Sequence, residues 1–382
     1  MQFKSSFISL FTLSLFATQL YAADDLIVKI GHAGPISGPS AHLGKDNENG
    51  AKMAIEELNA KGTMIGGKKA KFELLSEDDA SDPKQGAAVA EKLVDAKVNG
   101  VVGHLNSSTS IASAKIYSVA GIPQISPATT SPVYTSMGFK TTFRVVANDG
   151  QLGGTLGRYA VQNLNAKTIA VIDDRTAYGQ GVADEFIKGV KAKNPAIKFA
   201  QRQYTNDKAT DFNAILTSIK ASKPDVIFYG GMDSVAGPML RQMKALEIHA
   251  KFMGGDGICT TKLPELAGDS LGEHLVYCAE AGGVVAAQKK ASDDFRAAYK
   301  KRFGMDVVLY APYDYDAVMT LADAMQQAKS SDPAIYLPFL QKINHKGVTG
   351  DIAFDKKGDI KDGTLTLFSY QGGKKEELEV IR

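Results

Sequence analysis

Residues 168–193 read TIAVIDDRTAYGQGVADEFIKGVKAK. The run 168–172 is apolar and β-branched and short, as a buried strand is. The stretch 181–193 then reads as a helix. Between them stands Tyr178-Gly179-Gln180-Gly181, where a tyrosine closes over a ligand or packs at a helix start. The same unit recurs outward in both directions. Strands are expected at 26–30, 71–75, 100–103, 124–126 and 225–229. Helices are expected at 47–61, 86–96, 110–119, 152–164, 212–221 and 234–246. In 47–61 the apolar residues Ala51, Met53, Ala54, Ile55 and Leu58 fall near helical spacing. Alternating strands and helices predict an α/β fold with parallel sheets covered by helices.

The pattern runs twice. The first set ends near Val146, Asn148-Asp149-Gly150 is a turn signal, and the second set begins near Thr168. Two similar lobes leave a cleft, and ligands of such sheets bind beyond the carboxyl ends of the strands. Farther on, 288–303 and 313–329 read as helices. The segments 350–355 and 364–370 read as the strands of one hairpin, turned through 356–359.

Composition narrows the function. The chain has 382 residues, 23% charged and 44% hydrophobic, with 44 Lys plus Arg against 42 Asp plus Glu. That is an ordinary globular composition without the basic excess of a nucleic-acid binder. No internal window reaches the ~20 apolar residues that span a bilayer. Residues 1–22, MQFKSSFISLFTLSLFATQLYA, join Lys4 to a short apolar core and end at Ala22-Ala23. This is the pattern of an export signal, and the processed chain is expected to be soluble in an exported compartment. In an oxidising space two cysteines pair, so Cys259 and Cys278 are expected to form a disulfide.

Three loops at strand ends carry candidate chemistry. Gly103-His104-Leu105-Asn106-Ser107-Ser108-Thr109-Ser110 clusters hydroxyls where a helix starts. Such a start either caps its own N–H groups or presents them, with the helix dipole, to an anion. Ser126-Pro127-Ala128-Thr129-Thr130-Ser131-Pro132 is a stiff segment rich in hydroxyls and carbonyls. Phe252-Met253-Gly254-Gly255-Asp256-Gly257 sets one carboxylate among glycines, so backbone and ligand can approach closely. Catalytic patterns are missing: there is no GxxxxGKS/T loop, no HExxH helix, no GxSxG elbow and no clustered histidines. Neither an enzyme, a cofactor nor a metal site is expected.

Taken in order, seven segments resemble the periplasmic solute-binding proteins of branched-chain amino-acid ABC transporters. They are 34–39 (GPISGP), 78–85 (DDASDPKQ), 103–108 (GHLNSS), 126–132 (SPATTSP), 178–181 (YGQG), 228–231 (FYGG) and 252–257 (FMGGDG). The resemblance spans essentially all of the chain after the signal. It implies a type I periplasmic binding fold: two Rossmann-like lobes joined by three crossover strands. Lobe 1 would hold 24–148 and 279–350, and lobe 2 would hold 149–278 and 351–382. A monomer in the periplasm would close on an L-amino acid and dock on an inner-membrane ABC permease. The α-carboxylate would go to the loop at Ser107 and to Thr130. The ammonium group would go to the carbonyl of Ala128 and to Asp256, with Tyr178 packing over the ligand. Leu43, Leu105, Met232 and Asp149 complete the candidate ligand-binding set.

This chain also departs from the family pattern. A cysteine pair is frequent in the family where Ser81 and Asn106 stand here. Aspartate 256 replaces the usual glutamate of leucine binders, and Leu43 and Met232 stand where tyrosine is common. The resemblance thus implies a roomier, more apolar pocket that accepts branched-chain or larger apolar amino acids, aromatic ones included. The same fold also serves binders of amides, urea and aromatic carboxylic acids, and periplasmic ligand sensors.

Overall fold

A computed structural model of the chain describes residues 25–272, 275–284 and 287–381. The export signal expected at 1–22 lies outside the described residues. Two sheets form the framework. In the first, the strands run in the order Met64–Ile65, Lys68–Asp78, Leu26–Gly34, Gly100–Gly103, Gln124–Ser126, Thr142–Arg144. All pair in parallel except the short Met64–Ile65 edge. In the second, the order is Lys374–Ile381, Leu365–Gln371, Val276–Glu280, Lys251–Gly254, Val226–Gly230, Thr168–Asp173, Lys198–Tyr204. Its five strands from Val276–Glu280 to Lys198–Tyr204 are parallel, and the last two of the chain add an antiparallel hairpin.

The central strands are apolar because helices cover both faces, which removes any reason for alternation. Every residue of Val226–Gly230 and of Gly100–Gly103 is buried. Each sheet reverses its strand order once, at Leu26–Gly34 beside Gly100–Gly103 and at Thr168–Asp173 beside Val226–Gly230. At such a reversal the following loops diverge to opposite faces and leave a crevice. The loops bearing Ser107, Tyr178, Met232 and Asp256 all leave carboxyl ends of strands there or one strand away.

The first sheet is finished by residues far along the chain. Helix Ala311–Ala328 packs on helix Ala41–Ala60. Gly50 makes this contact close, since a Cβ there would collide with the carbonyl of Ala311. Asp46, on the same helix, accepts hydrogen bonds from the backbone N–H groups of Val308, Leu309 and Ala311 (2.9–3.0 Å) and from the Tyr299 hydroxyl (3.0 Å).

Two local expectations are corrected. Helix Ala41–Ala60 begins six residues before the expected 47, because its first two turns carry Gly44, Asp46 and Asn47 in place of an apolar stripe. The hairpin expected between 350–355 and 364–370 does not form. Asp351–Ile352 pairs with His345–Lys346, and Leu365–Gln371 pairs with Lys374–Ile381 across Gly372-Gly373, both at positive φ. The two glycines supply the left-handed backbone that a tight hairpin needs, and 356–359 turns only to bring Phe354 opposite Ile360. Among the described residues no helix is long and apolar enough to cross a membrane.

Candidate ligand site in the cleft

Ser107 opens the helix Ser107–Ala120 behind Asn106, and no side chain caps that first turn. The positive end of the helix therefore keeps donors for an anion. The Ser107 hydroxyl is buried and accepts a hydrogen bond from the backbone N–H of Ser131 (3.3 Å). This ties the first candidate loop to the second. Within the second, Ser126 Oγ accepts from the N–H groups of Ala128 (3.3 Å) and Thr129 (2.9 Å).

Arg144 holds the same loop from beneath. It is fully buried and donates to the carbonyls of Thr129 (2.7 Å) and Ser131 (2.8 Å), to the Thr135 hydroxyl (2.8 Å) and to Asp359 (2.6 Å). Four acceptors satisfy a guanidinium that would otherwise be costly to bury. Thr130 is buried beside Asp149, the first residue of helix Asp149–Gln162. Its hydroxyl lies near enough to favour the charged carboxylate, yet short of hydrogen-bond geometry, so both groups are unpartnered among the described residues. Burial dominates and pushes the Asp149 carboxyl well above the ordinary range.

Asp256 faces this loop from the second sheet, in the turn Asp256–Ile258 that follows the strand Lys251–Gly254. Its carboxylate accepts from the Tyr178 hydroxyl (2.7 Å) and the Tyr310 hydroxyl (2.8 Å). Burial pushes the carboxyl up to about 6, against the pull of those two donors. Burial, together with the Asp256 charge, also holds both phenols well above their ordinary range, so both stay protonated donors. Tyr178 additionally accepts from the N–H of Gly257 (2.9 Å). A side chain at Gly257 would run into Met232 and the Tyr178 ring, which explains the glycine beside the acid. Immediately after this turn, Cys259 is bonded to Cys278 on the strand Val276–Glu280, with a Cα–Cα distance of 5.3 Å.

Leu105, Ser107, Ala128, Tyr178, Met232 and Asp256 line one small cavity, with Asn106 and Tyr310. The free space between them is about 10 Å³, roughly the room of a single water. Thr130 and Asp149 do not line it. Leu43 is buried in the core packing of its helix and does not line the cavity. Tyr310 and Arg144 escape a reading of sequence. Tyr310 arrives from the residue before Ala311–Ala328, and Arg144 ends the strand Thr142–Arg144, where a charge signals nothing about a loop fifteen residues back.

The sheets meet across the cleft. His42 Nε2 lies 2.8 and 3.1 Å from the two carboxylate oxygens of Asp233, which also accepts from the Thr260 hydroxyl (2.5 Å). The N–H of Ala177 donates to Ser108 Oγ (3.1 Å). With the Tyr310–Asp256 bond, these contacts join the two sides of the cleft.

Comparison with known proteins shows which family shares this sequence and fold. A family model described as periplasmic binding protein matches residues 27–375. The Leu/Ile/Val-binding protein homolog 1 of Brucella abortus (strain 2308) is 35% identical over 350 residues, covering 91% of each chain. A leucine-, isoleucine-, valine-, threonine-, and alanine-binding protein of Pseudomonas aeruginosa is 35% identical over 355 residues, covering 93% of this chain and 92% of that one. Among solved structures, the leucine binding protein LivK of Thermotoga maritima MSB8 superposes with a TM-score of 0.84 at 27% identity, over 93% of this chain and 98% of that one. The chain belongs to the periplasmic binding protein family.

Proposed function

We propose that this chain is the soluble capture component of an ABC transporter. After export directed by residues 1–22 it binds an apolar L-α-amino acid, branched-chain or related, in the periplasm and presents it to an inner-membrane permease. The lobes that close on the ligand are 24–148 with 279–350 and 149–278 with 351–382. It acts by binding and closure, without chemical turnover, and as a monomer. One observation carries this reading: an uncapped helix start at Ser107 and a buried carboxylate at Asp256 line the same small cavity. A zwitterion brings the two charges that such walls leave unpaired. Its ammonium group would replace the tyrosine donors on Asp256 or join them, with the Ala128 carbonyl as second acceptor. The ligands named for the relatives support the same class.

Thermal unfolding of ligand-stripped protein tests the proposal. The panel holds leucine, isoleucine, valine, phenylalanine, small amides, urea and aromatic carboxylic acids. A ligand at 100 times its Kd adds about 2.7 kcal/mol of stability. Stabilisation by apolar L-amino acids is the expected result. A response confined to acids without an ammonium group would remove Asp256 from the recognition scheme and refute the ligand class.

A further inference from the structure

A second hollow adjoins the amino-acid cavity, and its walls are chemically unlike the first. Asn106, Ser107, Tyr178 and Met232 belong to both. Beyond them the hollow is bounded by Ser81, by Asp174 and by the sequence neighbours Asp207 and Lys208. Three of its polar atoms are buried without a hydrogen-bond partner among the described residues: Ser81 Oγ, Asn106 Oδ1 and Asp174 Oδ2.

Each omission is unusual for its place. Asn106 stands at a helix N-cap, where asparagine normally accepts from the first turn, yet its side chain makes no such bond. Asp174 is 3% exposed. Its other oxygen takes the N–H (3.0 Å) and hydroxyl (2.6 Å) of Thr176, which leaves Oδ2 free. Buried polar groups without partners are costly, and two acceptors and one hydroxyl lining the same hollow mark a place prepared for a polar ligand group. Resting on the amino-acid reading above, we propose that this hollow is a side-chain subsite for a neutral N–H donor. The preferred ligand is then an L-amino acid whose side chain ends in a carboxamide. Its α-carbon group sits between Ser107 and Asp256, and its side chain passes Asn106 and Met232 to reach Asp174. A carboxamide donates through its NH₂ to the acceptors Asn106 Oδ1 and Asp174 Oδ2 while its oxygen accepts from the Ser81 hydroxyl, a pairing that a donor-only ammonium group cannot complete.

The test compares L-glutamine with L-norleucine, equal in side-chain length but without the amide, and adds L-lysine and L-leucine. Calorimetry is done on ligand-stripped full-length protein. Glutamine is expected to bind at least tenfold more tightly than norleucine. In Asn106→Leu, that ratio is expected to fall at least fivefold. Ser81→Ala, on a separate loop, gives the same reading in case Asn106→Leu does not fold. Norleucine binding as tightly as glutamine, or lysine binding tightest, would overturn the subsite while leucine binding leaves the amino-acid reading standing. No response to any of the four would refute that reading and the subsite with it.

Discussion

Asp256 is the residue on which recognition turns, and its protonation sets a sign for pH. In the ligand-free fold its carboxyl is pushed up to about 6, above the ordinary value of about 3.9. The fold therefore binds this proton more tightly than the unfolded chain does. That contribution to stability is complete below the ordinary value and is lost as pH rises through about 6. Ligand binding runs the other way, because an ammonium group needs the carboxylate. Affinity for an amino acid is expected to hold above about pH 6 and to fall below it, by roughly tenfold per unit at the limit. Calorimetry between pH 5 and 7 checks this, and a flat profile would contradict it. Asp256→Ala is expected to weaken binding at least tenfold, since the ligand's charge would lie buried and unpaired. Ser107→Ala is expected to cost less, because the backbone donors of the helix start remain. Tyr310→Phe removes one of two donors to Asp256. It is expected to move the pH midpoint of binding upward, a change that simple loss of packing would not produce.

At the scale of elements, the disulfide ties the turn bearing Asp256 to the strand Val276–Glu280. A loop of this length stabilises by about 3 kcal/mol in the chain-entropy model. Replacing both cysteines by alanine is expected to lower unfolding stability by that order in urea titrations. A change below about 0.5 kcal/mol would show that packing alone holds the turn. The elements were legible where burial on both faces writes an unbroken apolar run, as at Thr168–Asp173 and Val226–Gly230. They were hidden where the strand is polar, as at the edge strand Lys198–Tyr204, whose residues are at most partly buried. Loop chemistry showed in the same way. Ser107, Ala128 and Asp256 announce themselves by glycine, proline and hydroxyl punctuation. Tyr310 and Arg144 belong to ordinary-looking segments, and only the tertiary fold carries them to the site.

For the whole molecule, polar contacts join the two sheets across the cleft. One of them is the His42–Asp233 pair, whose carboxylate is fully buried. His42→Ala would leave that carboxylate with Thr260 as its remaining side-chain partner. It is expected to weaken ligand affinity about tenfold and to increase the radius of gyration of the ligand-free protein in X-ray scattering. Unaltered scattering and affinity would show that the contact follows closure without favouring it. Asp46 has a different consequence, one for the order of assembly. Its four acceptor bonds reach residues 253 to 265 positions away, so the first sheet gains its covering helix only when most of the chain is present. Contacts of such separation make folding slow relative to a chain of local contacts. A polypeptide that matures this late stays threadable for longer, which is the condition a translocation channel requires of its cargo.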